Sequence, residues 1–170
     1  MYYDAYSIEN GQDKVATKAL YSILFAYSDS FSLVYCKPNV QTLFHLMPVL
    51  IKWRLRKYLL QTKQVSSWPG TWIGKGSKQM YFLQTYQTNY KAFEIISCVS
   101  ILWKWNAPAY PMDLCFYKNG IAWFELTAHE HLSKLYIGRE GCFPLKEDIE
   151  SLGIQLEFVA SVNEDKLYHT

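Results

Sequence analysis

Hydrophobic and polar positions alternate at short intervals along most of the chain, a pattern that predicts strands joined by turns, with a few helices between them. After a polar start, apolar residues fill two runs, 20–26 and 31–36, on either side of a Ser-Asp-Ser triplet that is typical of turns. We interpret both runs as strands. A helix through the first run is the competing interpretation, because its apolar residues also match helical spacing.

Apolar residues that recur every three or four positions predict helices. The clearest helix runs from about residue 40 to 58, with Asn39 as its N-cap. Pro48 should bend or interrupt it, because proline lacks an N–H and crowds the preceding turn. A second helix is predicted over 90–103 and a short third one over 144–152. Further strands are predicted over residues 59–68, 79–87, 113–118, 121–127 and 154–161.

The Asn-Gly dipeptide at 119–120 is the strongest turn signal in the chain, because a two-residue type I′ hairpin needs positive φ at both positions. Such a turn sets Tyr117 opposite Ala122 and Phe116 opposite Trp123. Both faces of this hairpin are largely apolar. We therefore expect it to lie in the centre of the sheet, covered on both sides.

Together these elements predict an α+β fold with a mixed, mainly antiparallel sheet and two or three helices. Residues 31–118 follow the order strand, helix, strand, strand, helix, strand, which is the split βαβ arrangement of ferredoxin-like domains. A C-terminal hairpin, helix and strand would follow this core. We expect residues 1–170 to form one domain, with residues 1–18 as a loosely packed N-terminal segment.

The composition favours a folded protein that meets a partner. Of the 170 residues, 50% are hydrophobic and 17% aromatic, so disorder is excluded, and the low charged fraction of 19% indicates apolar surface available for contact. No apolar segment is long enough to span a bilayer, and the N-terminus does not match a signal peptide. The four cysteines are scattered without a C-x-x-C pair, so we interpret them as reduced thiols in a cytoplasmic protein.

Charge is distributed unevenly. No acidic residue occurs between Asp29 and Glu94, where nine Lys or Arg are found, whereas the last third of the chain is acidic. With a net charge of +2, the molecule should be a dipole that attracts an anionic partner, either an acidic protein surface or nucleic acid. The alternative is a solvated helix end. The predicted binding residues are Lys52, Trp53, Arg54, Arg56, Lys57, Lys63, Trp68 and Trp72; the two last could instead be buried under the sheet.

The triplet His129-Glu130-His131 is the sharpest chemical candidate. On a continuing strand both imidazoles would point to one side and could bind a metal or act in acid–base chemistry, with the carboxylate of Asp113 or the thiolate of Cys115 as a further ligand. The alternative is the polar end of a strand. Asp113 and Glu125 are expected on opposite faces of the hairpin, so they would not form a carboxylate pair. No complete nucleophile or phosphate-loop motif is present, so we predict no catalytic residue, metal or cofactor.

The segment DLCFYKNGIAWFELTAHE, with WPG before it and LG and FV after it, resembles a family of small uncharacterised proteins from low-GC Gram-positive bacteria and their mobile elements. The resemblance covers the C-terminal half and implies a bacterial cytoplasmic origin. The aromatic-rich, charge-poor composition, the polarised charge and the lack of a complete catalytic motif predict a non-enzymatic binding protein, namely an inhibitor, immunity protein or regulatory factor. The rival functions are a nucleic-acid-binding module and a metal-dependent hydrolase that uses His129 and His131.

Overall fold

The computed structural model describes residues 1–37, 46–74, 79–138, 144 and 146–168. Its main feature is one eight-stranded antiparallel sheet, accompanied by a small two-stranded hairpin. The strands are β1 (Tyr2–Ile8), β2 (Ser30–Cys36), β3 (Leu59–Val65), β4 (Ser67–Trp68), β5 (Thr71–Trp72), β6 (Tyr81–Gln87), β7 (Met112–Lys118), β8 (Ile121–Thr127), β9 (Leu132–Gly138) and β10 (Leu156–Asn163). The helices are α1 (Lys14–Tyr27), α2 (Leu46–Leu55), α3 (Tyr90–Ile96) and α4 (Lys146–Glu150). The α+β class with a mainly antiparallel sheet is confirmed.

The order of strands across the large sheet is β10-β1-β9-β8-β7-β2-β6-β3. Four neighbours in this order, β7-β2-β6-β3, belong to the predicted ferredoxin-like segment β2-α2-β3-β6-α3-β7, which we call the inner unit. Each of these strands is antiparallel to its neighbour. Their order places the first strand of the unit between the last and the third, which is the split βαβ arrangement predicted from the sequence.

The other half of the sheet repeats this arrangement. The segment β1-α1-β8-β9-α4-β10, which we call the outer unit, has the strand order β10-β1-β9-β8 and the same antiparallel pairing. Last, first, third and second strand follow one another in both units. The inner unit is thus inserted into the outer unit between α1 and β8, and the β7–β8 hairpin joins the two halves of the sheet.

The helices pack on one face of the sheet and enclose the main hydrophobic core. Phe25 of α1 lies between rings of the sheet and of α3, with centroids 5.3 Å from Phe31, 5.1 Å from Phe116 and 5.6 Å from Phe93. The two units therefore share one core, since α1 belongs to the outer unit and these three rings to the inner unit. No helix within the described residues has the length and apolar character needed to cross a membrane.

The N-terminal part differs from the favoured predictions. The run 20–26 forms part of α1, which is the competing helical interpretation, because Asp13 caps the helix by accepting hydrogen bonds from Val15 N and Ala16 N and because its helically spaced apolar residues face the core. Residues 1–18 are not loosely packed, since β1 lies between β9 and β10 with Tyr3 and Ala5 each 2% exposed.

Both predicted helices of the inner unit end earlier than expected. The first, α2, contains Pro48 and ends at Leu55, and the 3-10 helix Arg56–Tyr58 follows it. Asn39, the predicted N-cap, lies outside the described residues. The second, α3, ends at Ile96 instead of continuing to 103.

The Asn-Gly turn and its central position are confirmed. Asn119 has φ 52° and Gly120 φ 80°, and Tyr117 pairs with Ala122 as expected. The next pair is Phe116 with Phe124, because a bulge shifts the register by one residue. The bulge lets Trp123 join the main core, where its indole N–H donates to Ser28 Oγ at 2.8 Å. The opposite face of the sheet is covered by the β4–β5 hairpin and by the segment after β10.

Candidate functional site

Asp113 anchors the β4–β5 hairpin to the sheet. It is 2% exposed, and its carboxylate accepts hydrogen bonds from Trp68 Nε1 at 2.8 Å, Thr71 Oγ1 at 3.1 Å and the backbone N–H of Ala128 at 3.1 Å. Burial raises the pKa of Asp113 above its ordinary 3.8, and the three donors act against this rise. Every donor belongs to the protein itself, so this carboxylate connects β7 with two other segments.

Glu125 lies on the same face of the sheet as Asp113, so the expectation of opposite faces is wrong. The bulge in the β7–β8 pair reverses the alternation between these two positions. Gly70 of the β4–β5 hairpin packs against Glu125 and Thr127, while Asp113 bonds to the same hairpin. Burial and then the charges of Glu125 and Asp113 raise the pKa of the buried Cys115 thiol.

The His-Glu-His triplet does not continue strand β8. The chain turns into a 3-10 helix over Ala128–Glu130, and His131 follows with φ 55°. His129 Nε2 lies 3.5 Å from Glu130 Oε1, whereas the His131 ring stacks on Trp103 with centroids 5.3 Å apart. The two imidazoles therefore do not point to one side, as they would have done on a continuing strand. Within the described ranges, no group of three or more metal-ligating side chains comes together.

A cleft of about 410 Å³ opens beside the β4–β5 hairpin. His129 and Glu130 contribute polar groups to its wall, and Trp72 contributes an indole that is 80% exposed. The thiol of Cys36 donates to Met112 Sδ at 3.4 Å, and burial raises the pKa of Cys36, which keeps this thiol protonated. The cleft can hold a small polar molecule. Among the described residues, its lining is Cys36, Gly70, Thr71, Trp72, Ile73, Tyr81, Asn106, Ala107, Met112, Thr127, His129 and Glu130.

The predicted cationic residues lie together at one edge of the large sheet. They occupy the end of α2, the 3-10 helix Arg56–Tyr58 that follows it, and strand β3. All are exposed, and together with one indole they form what we call the basic surface: Lys52, Trp53, Arg54, Arg56, Lys57 and Lys63.

Trp53 is held in an exposed position on the basic surface. The Arg56 guanidinium lies 4.4 Å from the centre of the Trp53 ring and donates to the Trp53 carbonyl at 2.7 Å. The indole nevertheless remains 58% exposed. A rigid, exposed indole beside an arginine is a combination that is enriched at the energetically dominant points of protein interfaces.

Sequence reasoning missed an apolar stripe on α2 that continues the basic surface. Its side chains are 37% to 75% exposed and recur three, four and seven positions along the helix: Leu46, Val49, Leu50 and Trp53. Their spacing was visible in the sequence. Helical periodicity alone, however, does not show which apolar stripe of a helix meets the core and which stays exposed.

The two tryptophans of the WPGTW segment have different environments. Trp68 is 3% exposed and packs under the β4–β5 hairpin with Val34 and Leu83, so it is not a surface contact. Trp72 is exposed but lines the cleft, on the face opposite the helices, and no residue of α2 is among the described lining residues. The predicted binding set is thus reduced to the six residues of the basic surface, with Trp72 separate.

Comparisons of the chain with protein-family models, with curated proteins and with solved structures found no match in any of the three.

Proposed function

We propose that this chain is a non-enzymatic binding protein that engages an acidic protein through its basic surface. The observation that carries the proposal is the grouping of five exposed Lys or Arg side chains and the exposed indole of Trp53 on α2, the 3-10 helix after it and β3, in a part of the chain where no acidic residue occurs from 30 to 93. An uncompensated basic field of this kind attracts acidic partners and orients them before contact.

The apolar stripe of α2 favours a protein partner over nucleic acid. Exposed Leu46, Val49 and Leu50 can pack against aliphatic and aromatic side chains of a protein partner. The charged phosphate backbone of nucleic acid cannot make such apolar contacts. Strand β3 pairs only with β6 within the described residues, and an unpaired strand edge can accept an extended peptide.

As part of the proposal, we assign the protein to the bacterial cytoplasm as an inhibitor, immunity protein or regulatory factor of a bacterium or mobile element. The support is the resemblance of the C-terminal half and the use of the buried Asp113 carboxylate, next to the cleft, in structural hydrogen bonds. The rival hydrolase would use His129 and His131, which point to different surroundings.

The test is an affinity pull-down with the tagged full chain from nuclease-treated lysate of the source organism, read by mass spectrometry. The double variant Arg54→Glu with Arg56→Glu should lose a protein that the wild type retains. Lys14→Glu with Lys18→Glu is the matched control, because both lysines are exposed on α1, in the outer unit, and the change in charge is the same. The control should retain that protein. Equal retention by all three chains would refute the proposal.

A second pair, Arg54→Glu with Lys57→Glu, leaves the Arg56–Trp53 contact intact and should give the same loss. A fluorescent DNA duplex serves as the probe for the rival function. Binding of this duplex by the wild type, with an affinity that falls steeply from about 50 to about 200 mM salt, would favour the nucleic-acid module instead.

A further inference from the structure

The pairing that joins the two units in the middle of the sheet involves two particular kinds of strand. In each unit the strands stand in the order last, first, third, second. The central contact therefore joins β8, the second strand of the outer unit, to β7, the last strand of the inner unit, in antiparallel orientation.

The two outer edges of the sheet are the same two kinds of strand. At one edge lies β3, the second strand of the inner unit, and at the other lies β10, the last strand of the outer unit. Within the described part of the chain, β3 pairs only with β6 and β10 only with β1. The two edge strands of each molecule are therefore of the same two kinds as the strands that pair with each other at its centre.

We propose that copies of this chain join head to tail, with β3 of one copy pairing antiparallel to β10 of the next and so repeating the β8–β7 junction. Such a contact uses different surfaces on the two partners, so it leads to an open chain of molecules or a ring and not to a closed symmetric dimer. This inference rests on the proposed function in one respect. It assumes that the end of the sheet with the basic surface binds an acidic partner, which here is the β10 end of the next copy.

Charge favours this arrangement. Residues 30–118, which contain the inner unit, carry eleven Lys or Arg and two Asp or Glu, whereas the rest of the chain carries six Lys or Arg and thirteen Asp or Glu. Because the units lie side by side in one sheet, β3 is at the basic end and β10 at the acidic end. Head-to-tail contact brings opposite charges together, while contact between two equal ends brings like charges together.

The side chains at the two edges are also compatible. Leu60 of β3 and Phe158 of β10 are 60% and 57% exposed, although both are large and apolar. Lys63 pairs with Leu83, which packs under the β4–β5 hairpin, and Glu157 alternates with Phe158, whose ring meets Tyr6 on the helix side. Lys63 and Glu157 therefore lie on the same face of the sheet.

The lengths of the edges match, since β3 has seven residues and β10 has eight. Neither strand contains the proline that often protects an edge from pairing. Each has one irregularity in its pairing with the neighbouring strand, as the β7–β8 junction itself has. A bulge at this position is thus compatible with the junction.

The first experiment is sedimentation velocity of the purified full chain from about 10 µM to about 1 mM protein. At about 10 mM salt the average mass should rise with concentration through dimer and larger species. It should fall toward the monomer at about 1 M salt, where the Debye length shrinks from about 30 Å to about 3 Å. A wild-type chain that stays monomeric over the whole range at low salt overturns the proposal.

The second experiment blocks each edge separately with a proline. One variant carries proline at whichever of Thr62 and Lys63 turns its N–H away from β6, and the other at whichever of Glu157 and Phe158 turns its N–H away from β1. Each variant alone should be monomeric. A mixture should form a one-to-one complex that grows no further, because each copy retains one intact and complementary edge. A mixture that stays monomeric, or a blocked variant that still assembles, overturns the head-to-tail arrangement.

Leu60→Asp and Phe158→Asp provide a second pair of blocks at exposed positions if a proline variant melts well below the wild type. They leave the backbone unchanged and should give the same results, alone and mixed. The β10 variants also separate this inference from the proposed function. They should lose self-association while still retaining the acidic protein in the pull-down, whereas Arg54→Glu with Arg56→Glu should lose that protein.

Discussion

Asp113 occupies a position that few residues would tolerate. Its φ of 49° lies in the left-handed region, where Asp and Asn are accepted more readily than other non-glycine residues. From this conformation its two carboxylate oxygens reach the β4–β5 hairpin and the 3-10 helix after β8. One side chain therefore holds both the β4–β5 hairpin and the 3-10 helix in place, and residues of both segments line the cleft.

Replacing Asp113 should destabilise the protein strongly. We expect Asp113→Ala to lower the free energy of unfolding by about 3 kcal/mol, because the buried N–H groups of Trp68 and Ala128 lose their acceptor. Asp113→Asn should cost less, since asparagine tolerates the same φ and keeps one acceptor oxygen. Urea unfolding followed by fluorescence measures both. Glu94→Ala is the exposed control, and an Asp113→Ala variant as stable as that control would contradict the structural role.

Glu125 should make stability depend on pH in an identifiable direction. Burial raises its pKa above the ordinary 4.5, so ionisation is easier in the unfolded chain than in the folded one. The associated stability is present below pH 4.5 and is lost as pH rises through the raised value. Glu125→Gln should therefore raise the melting temperature at neutral pH and leave it nearly unchanged in acid. An unchanged melting temperature at both pH values would contradict this expectation.

At this scale the sequence could indicate that Asp113 and His129 were unusual, but not what they do. The partners of Asp113 are Trp68 and Thr71, more than forty positions away, and no local pattern connects them. Likewise the exposed state of Trp53 and the burial of Trp68 depend on which segment covers each indole. Residue type alone gives the same expectation for both.

Among the elements, the β4–β5 hairpin depends on close approach to the sheet. Gly70 has φ 75°, and a Cβ atom there would lie 2.7 Å from Thr127 Oγ1, which also donates to the Gly70 carbonyl. The contact is too short for any other residue unless the hairpin moves. This glycine therefore sets the distance between the hairpin and β8.

Gly70→Ala should destabilise the protein by about 2 kcal/mol, from strain at positive φ together with displacement of Thr127. Gly74→Ala, two residues after the end of β5, is the matched control, because a Cβ atom at Gly74 meets nothing within 4 Å. Chemical unfolding of the two variants provides the comparison. Equal stability of both would show that the hairpin is free to shift away from β8.

The elements that sequence patterns predicted well are those with strong local signals. Asn119 and Gly120 specify their turn through their own backbone preferences, and the strands of the inner unit carry clear alternation. Strand β1 was missed because Asp4 and Ser7 interrupt its apolar positions, which become evident only once β9 and β10 flank it. The bulge that exchanged the faces of Glu125 and its neighbours is set by tertiary packing of Trp123.

For the whole molecule, the shared core predicts a single unfolding transition. Two side chains of α1 contact residues of the inner unit. Phe25 packs against Phe116, and the Tyr21 hydroxyl accepts a hydrogen bond from the Trp105 indole N–H at 2.8 Å. Far-ultraviolet and near-ultraviolet circular dichroism should therefore give coincident denaturation curves. Residues 30–118 expressed alone should remain unfolded, since they lack α1. Two separate transitions would show that the units are independently stable.

The split βαβ order of the inner unit could be predicted because its six elements are consecutive in the sequence. The outer unit could not be predicted in this way, since its first two elements and its last four are separated by the entire inner unit. Strand order is a property of long-range pairing, and hydrophobic periodicity contains no information about which distant strands become neighbours. The resulting separation of charge between the two ends was visible in the sequence only as an uneven distribution.

The insertion of one unit into the other also determines the order in which the nascent chain can fold. Strand β1 leaves the ribosome before the other strands of the sheet, yet both of its neighbours, β9 and β10, are synthesised only after the whole inner unit. The inner unit can be completed on α1 while β1 is still without a partner. During translation strand β1 must therefore stay soluble while it is unpaired. The polar residues Asp4 and Ser7, which interrupt its apolar pattern, favour this solubility.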